Sequence, residues 1–188
     1  MLGENKQCPE GVRFQDWVIA SYLFLIYYLG RKKPKIEISE HISKVNFKGE
    51  VNYFFKFVNK TDSEIFDVRV EATFFKPIGD LNGTNLHGTD IPLKDSFFMY
   101  IPKASSTDHH NLHCMRLRTT EDLEEKWTDD SSKIRLTVIG RHSLSGFNQV
   151  FFKEFNSKRC ITSKQFISGD SLEVKWKIRF ESKPKILN

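Results

Sequence analysis

The stretch Ile65-Phe66-Asp67-Val68-Arg69-Val70-Glu71-Ala72-Thr73-Phe74-Phe75 carries the clearest signal of fold class. From Phe66 to Ala72 apolar and charged side chains alternate strictly, which places them on opposite faces of an extended strand, one dry and one wet. A helix would scatter the same residues around its circumference. The pattern returns over 172–180, from Leu172 and Glu173 to Arg179 and Phe180. Further strands are expected over 36–39, 51–59, 96–101, 134–140 and 147–155. Turn-forming residues separate these runs at 59–63, 77–83, 143–146 and 168–170. One short helix is expected from a Thr119 or Thr120 cap, with Glu121 and Asp122 in its first turn, through Leu123 to Trp127. Seven short strands with one helix in a connection predict a mainly β fold, an immunoglobulin-like β-sandwich.

Composition supports a packed β domain. The chain has 188 residues, enough for one ordinary core, with 17 Phe against 3 Met. Rigid aromatics in place of pliable Met suit a sheet-rich interior. At 39% apolar and 28% charged, the chain is neither disordered nor a multi-span membrane protein. Cys8, Cys114 and Cys160 are odd in number and widely spaced, which is no disulfide framework and favours a reducing compartment. Two glycosylation patterns, at Asn59-Lys60-Thr61 and Asn82-Gly83-Thr84, are short enough to arise by chance.

Hydropathy is concentrated in residues 17–29, thirteen in a row without a charge. The wider segment 14–30, as a helix, reaches roughly 25 Å, a short candidate for the ~30 Å hydrocarbon core. Trp17 at one end and Tyr27 and Tyr28 at the other resemble an interfacial aromatic belt. A signal peptide would want a basic start and a small-residue cleavage site, and neither is present. A helix buried in a soluble domain is the competing reading, because the run is short. The expected organisation is a tail (1–13), a membrane anchor (14–30), a basic linker (31–35), a β-sandwich (36–181) and a second tail (182–188). The positive-inside rule puts the β domain in the cytoplasm, as a single-pass membrane protein.

The net charge of +5 is local. Arg31, Lys32, Lys33 and Lys35 carry four of those charges, leaving the rest of the chain near neutral. This argues against nucleic-acid binding, which wants basic residues spread over a face with aromatics between them. Beside a membrane, each such residue is worth about 1 kcal/mol against an anionic leaflet. The four are therefore the expected lipid-binding residues.

No phosphate-binding loop, dinucleotide fingerprint, nucleophile elbow, zinc-protease helix or paired Cys-x-x-Cys motif occurs, and no cofactor is expected. The densest constellation is His109-His110-Asn111-Leu112-His113-Cys114. His110 and His113 could share a metal with Cys114, but a lone local cluster is more simply a polar loop. Cys114 as a nucleophile would need a base and an orienting partner, which adjacency in sequence does not supply. Ser143 and Ser145 near His142 read as turn formers. No enzyme is expected.

In order and spacing, the segments resemble the cytoplasmic domain of inward-rectifier potassium channels. The residues that carry the resemblance begin with the basic linker and Lys35-Ile-Glu-Ile-Ser-Glu40. They continue through Tyr53-Phe-Phe-Lys-Phe-Val-Asn59, the 65–75 strand and Ile91-Pro-Leu93. Thr120-Glu-Asp-Leu-Glu-Glu125, Ile134-Arg-Leu-Thr-Val-Ile-Gly140, Ser143-Leu-Ser-Gly-Phe-Asn-Gln149 and 150–155 complete the set. The resemblance covers about 31–178. It implies an immunoglobulin-like sandwich, a homo-oligomer of the family's tetrameric kind, and lipid contact through Arg31, Lys32, Lys33 and Lys35. The filter and a second membrane helix are missing, so family-type potassium conduction is not expected of this chain alone.

The expected function is therefore a membrane-anchored, non-enzymatic sensor or effector. Its β domain would oligomerise and couple a ligand, lipid or partner to a bundle of membrane helices. The alternatives are an accessory or scaffold subunit of a separate channel or enzyme, or a nucleotide-gated, membrane-perturbing defence effector.

Overall fold

The computed structural model describes residues 14–47, 49–80 and 83–176. Both expected tails, Cys8, Asn82 and the part of the 172–180 strand beyond 176 lie outside the described residues. The chain divides into two units, Met1–Lys32 and Lys33–Asn188.

In the first unit, helix α1 spans Phe14–Arg31. Asp16 in its first turn and Arg31 in its last complement the helix dipole. Every side chain from 15 to 28 is exposed, including Trp17, Ile19, Tyr22, Leu23, Phe24, Leu25 and Ile26. Apolar residues thus cover the whole circumference. The expected helix is present. Among the described residues no helix is long and apolar enough to cross a membrane. α1 rises about 27 Å, and Gln15, Asp16 and Arg31 lower its mean hydropathy.

The second unit is mainly β. Its first sheet is built on β3 (Glu50–Asn59), paired along one edge with β1 (Ile36–Ile38) and β2 (Ile42–Phe47). Along its other edge runs β7 (Cys114–Thr119). The second sheet is built on β4 (Ile65–Asp80), with β5 (Gly83–Ile91) and β6 (Phe97–Ile101) on one side. On the other side lie β8 (Lys133–His142) and then β9 (Asn148–Phe155). Short strands β10 (Ile161–Thr162), β11 (Gln165–Phe166) and β12 (Val174–Lys175) follow a 3-10 turn at Lys158–Cys160. β10 runs parallel to β2.

One hydrophobic core joins both sheets. Tyr53, Phe55, Phe57 and Leu117 from the first meet Val68, Val70, Ala72, Phe74, Leu136 and Val138 from the second. The alternation of β4 drives this, with one correction. A bulge between Phe66 and Arg69, where Asp67 sits at φ 50°, shifts the phase of the strand. Ile65 is therefore buried, and Phe66 leaves the row begun by Val68 to pack on Tyr100, ring centroids 6.5 Å apart. Sequence reading also missed β2, β5, β7, β10 and β11, and β4 runs five residues beyond its expected end. Of the expected 172–180 strand, only Val174–Lys175 is a strand among the described residues.

The short helix is α2, Leu123–Lys126. Its cap is Asp122, not Thr119 or Thr120. The Asp122 carboxylate accepts the N–H groups of Glu124 (3.0 Å) and Glu125 (3.1 Å) and the hydroxyl of Tyr53 (2.9 Å). The Glu125 N–H and the Tyr53 hydroxyl lead in holding the Asp122 carboxyl below its ordinary 3.8. Burial, then the nearby Asp122 carboxylate, pushes the Tyr53 hydroxyl up to about 12, so it remains a donor at neutral pH. Asp122→Ala is expected to cost about 1 kcal/mol. Because the folded carboxyl titrates lower than the unfolded one, its contribution is complete above the ordinary carboxylate range and disappears as pH falls through the lowered value. Denaturant titrations of parent and variant at neutral pH and near pH 3 check this: the gap should narrow in acid.

Candidate functional site

The site grows out of an anomaly in β3. Tyr53, Phe55 and Phe57 face the core, so Phe54, Lys56 and Val58 face away from it. A solvent-facing lysine would be ordinary, but Lys56 is only 1% exposed. Segment 164–172 crosses this face as a strap, and Lys56 holds it. Its ammonium donates to the carbonyls of Ile167 (2.7 Å), Gly169 (2.6 Å) and Ser171 (2.7 Å), which uses all three N–H bonds. Burial pushes the Lys56 pKa down. Ser43 and Ser39 donate to the carbonyls of Lys164 (2.6 Å) and Leu172 (2.8 Å) at the two ends of the strap. Arg116 donates to Phe166 and Ile167. Gly169 supplies the positive φ (+77°) that the turn at the strap's centre requires.

The next residue, Asp170, is thereby fixed over the start of β7. Its carboxylate pairs with Nε2 of His113, which is buried, and receives the Cys114 thiol at 3.9 Å. Lys60 lies 3.6 Å from its other oxygen. Nδ1 of His113 faces Asp108 at 3.5 Å. Asp108 in turn accepts the N–H groups of Leu112 (2.6 Å) and His110 (3.0 Å). Burial would raise the Asp108 carboxyl, but these backbone donors and His113 hold it below the usual range. The His113 hydrogen bond is the main cause of the same lowering at Asp170. Desolvation leads in pushing the Cys114 thiol up, which disfavours the thiolate a nucleophile needs.

The structure brings together two of the three metal candidates. His113 and Cys114 meet; His110 is exposed and contributes only its backbone N–H to Asp108, and His109 is exposed as well. In their place stands Asp170, so that donor atoms of His113, Cys114 and Asp170 lie within 4.8 Å of one another. Sequence reading took 168–170 for a turn and did not single out Asp108, Asp170, Lys56 or Lys60. The visible signal was Lys56 itself, a lone charge in Tyr-Phe-Phe-Lys-Phe-Val.

Elsewhere the geometry favours structure over chemistry. His142 accepts the N–H groups of Leu144 and Ser145 (both 3.2 Å) at Nδ1 and contacts Ser63 Oγ through Nε2 (2.9 Å), which ties the 143–146 turn together. Asn59 is fully buried, and its side-chain amide donates to the carbonyls of Pro102 (2.9 Å) and Ser63 (3.2 Å). No glycan fits on it in this fold. Of the four expected lipid-binding residues, Arg31 stacks on Tyr27 (4.6 Å) and Lys32 lies over Tyr28 (5.6 Å). In the second unit, the Lys33 and Lys35 side chains are exposed. The Lys35 backbone N–H is held by Thr61 Oγ1 at 2.8 Å. A groove of about 260 Å³ opens beside the strap, walled by Phe47, Phe54, Phe166 and Arg116.

No protein-family model matches this chain, and no curated protein matches its sequence.

Proposed function

We propose that this chain is a membrane-associated, non-enzymatic effector or sensor. α1 embeds in lipid, Arg31, Lys32, Lys33 and Lys35 meet anionic head groups, and the β unit assembles as an inward-rectifier-like, immunoglobulin-type oligomer on the cytoplasmic side. The observation that carries this reading is the surface of α1. It presents Trp17, Val18, Ile19, Tyr22, Leu23, Phe24, Leu25 and Ile26 with every one of them exposed. A helix apolar on all sides is stable inside a protein core or in lipid, and water is its worst environment. The shortfall in length is met by local bilayer thinning or by oligomerisation, each at modest cost. Arg31 and Lys32 over tyrosine rings resemble the aromatic and cationic anchors of an interface.

Flotation of the full chain on vesicles, with oligomer size and dye leakage followed together, tests this. The parent is expected to float, and more completely on anionic than on neutral vesicles. Deletion of 1–30, or Leu23→Glu with Ile26→Glu, should abolish flotation. Replacing the four basic residues by glutamine should weaken it about tenfold or more on anionic vesicles. A parent chain that stays in solution and monomeric overturns the reading. A parent that ignores vesicles but forms a stable complex with one other protein supports the scaffold alternative.

A further inference from the structure

We infer that His113, Cys114 and Asp170 form a binding site for a zinc-class divalent ion, independent of the membrane reading above. The argument begins with the donors: one imidazole, one thiolate sulfur and one carboxylate, all mutually within 4.8 Å. Zinc takes this mixed set at about 2.0–2.3 Å, so tetrahedral ligands stand roughly 3.3–3.6 Å apart. Cys114 Sγ and the Asp170 oxygen, at 3.9 Å, are already near that separation. The ion takes the place of the proton shared by His113 Nε2 and Asp170, and these two side chains move apart to the ligand spacing to admit it. Cys114 gives up its thiol proton to solvent and binds as thiolate. One thiolate and one carboxylate then balance the two charges of the ion. The sulfur selects against magnesium and calcium, which want oxygen alone.

The surroundings are those of a held metal ligand set. A ligating histidine commonly gives its second ring N–H to a carboxylate, which fixes its tautomer. Asp108 stands at that position, opposite Nδ1 of His113, and is itself fastened by the N–H groups of Leu112 and His110. Asp170 arrives from a segment 56 residues beyond Cys114 and is placed by the triple clamp of Lys56 on Ile167, Gly169 and Ser171. A buried ammonium spent on aiming one turn is an expensive device for a loop with nothing to hold. Asp170 is half-exposed, with 52% of its side chain accessible. The fourth ligand position therefore opens to solvent and takes a water molecule or an incoming group, as in three-ligand zinc sites.

The test uses the full chain, stripped with a chelator and then given zinc alone, or cobalt alone. After desalting, about one zinc per chain is expected. Cobalt should add the near-ultraviolet thiolate-to-metal absorption that reports a Cys–metal bond. Zinc should also raise the unfolding temperature of the parent, since it binds only the folded state. Cys114→Ser and Asp170→Asn should each weaken zinc binding by about a hundredfold or more, and Asp108→Asn by about ten- to a hundredfold. Cys114→Ser should erase the cobalt absorption. His110→Ala and Cys160→Ser should change nothing. Stripped Cys114→Ser should unfold at the temperature of the stripped parent, which separates a lost ligand from a lost fold. A parent that retains no zinc, a cobalt absorption that survives Cys114→Ser, or equal loss in His110→Ala would each overturn the proposal.

Discussion

Phe55→Ala is expected to remove about 4 kcal/mol of folding stability, within the usual range for deleting a buried aromatic ring. Phe55 has no exposed surface, and its ring lies 5.8 Å from that of Phe155. The two rings come from different sheets, Phe55 from β3 and Phe155 from β9. Truncation therefore leaves a cavity where the two layers meet, and neither layer can close it without sliding over the other. Equilibrium denaturation should show the loss with an unchanged denaturant slope, the mark of altered stability rather than altered cooperativity. A loss below about 1 kcal/mol would mean that the sheets relax independently and do not share a core.

Lys56→Met is the second large effect, expected at about 3 kcal/mol although it exchanges a charge for a buried apolar group. Its sequence neighbour Phe55 faces the core, while Lys56 faces the strap. Methionine fills much the same space but donates nothing, so the carbonyls of Ile167, Gly169 and Ser171 lose their partner. The strap recovers by detaching and taking water, which limits the loss and localises it. Amide exchange across 164–172 should accelerate far more than exchange in β4 and β8. Zinc affinity should fall with it, because Asp170 is no longer held over His113. Unchanged exchange in the strap, with less than about 1 kcal/mol lost, would show that Arg116, Ser39 and Ser43 suffice to hold it.

The features legible in the sequence were those set by neighbours along the chain. Alternation over 66–72 marked a strand, and all seven expected strand positions hold a strand at least in part. The strands that escaped notice have local reasons. β7 reads Cys-Met-Arg-Leu-Arg-Thr, and buries Leu117 and Thr119 while its arginines run along the strap side. β5, Gly83–Ile91, is exposed except at its last residue, so it carries no apolar period to read. It is a strand because β4 extends far enough to pair with it from Ala72 to Asp80. The helix cap moved from Thr119 or Thr120 to Asp122 because Asp122 also satisfies Tyr53, a partner 69 residues away.

The mainly β character of the larger unit, the apolar helix ahead of it and the concentration of the chain's net charge in 31–35 were all readable from the chain alone. Each is a property of adjacent residues and needs no folding to exist. Folding in three dimensions set which face of β3 is covered, that Asp67 bulges and turns Phe66 out of the core row, and that Asp170 meets His113. Those outcomes depend on segments separated by up to 133 residues, as Ser39 and Leu172 are. Burial and ion pairing are set by distance in space, and no period along the chain encodes which strap will close over which lysine.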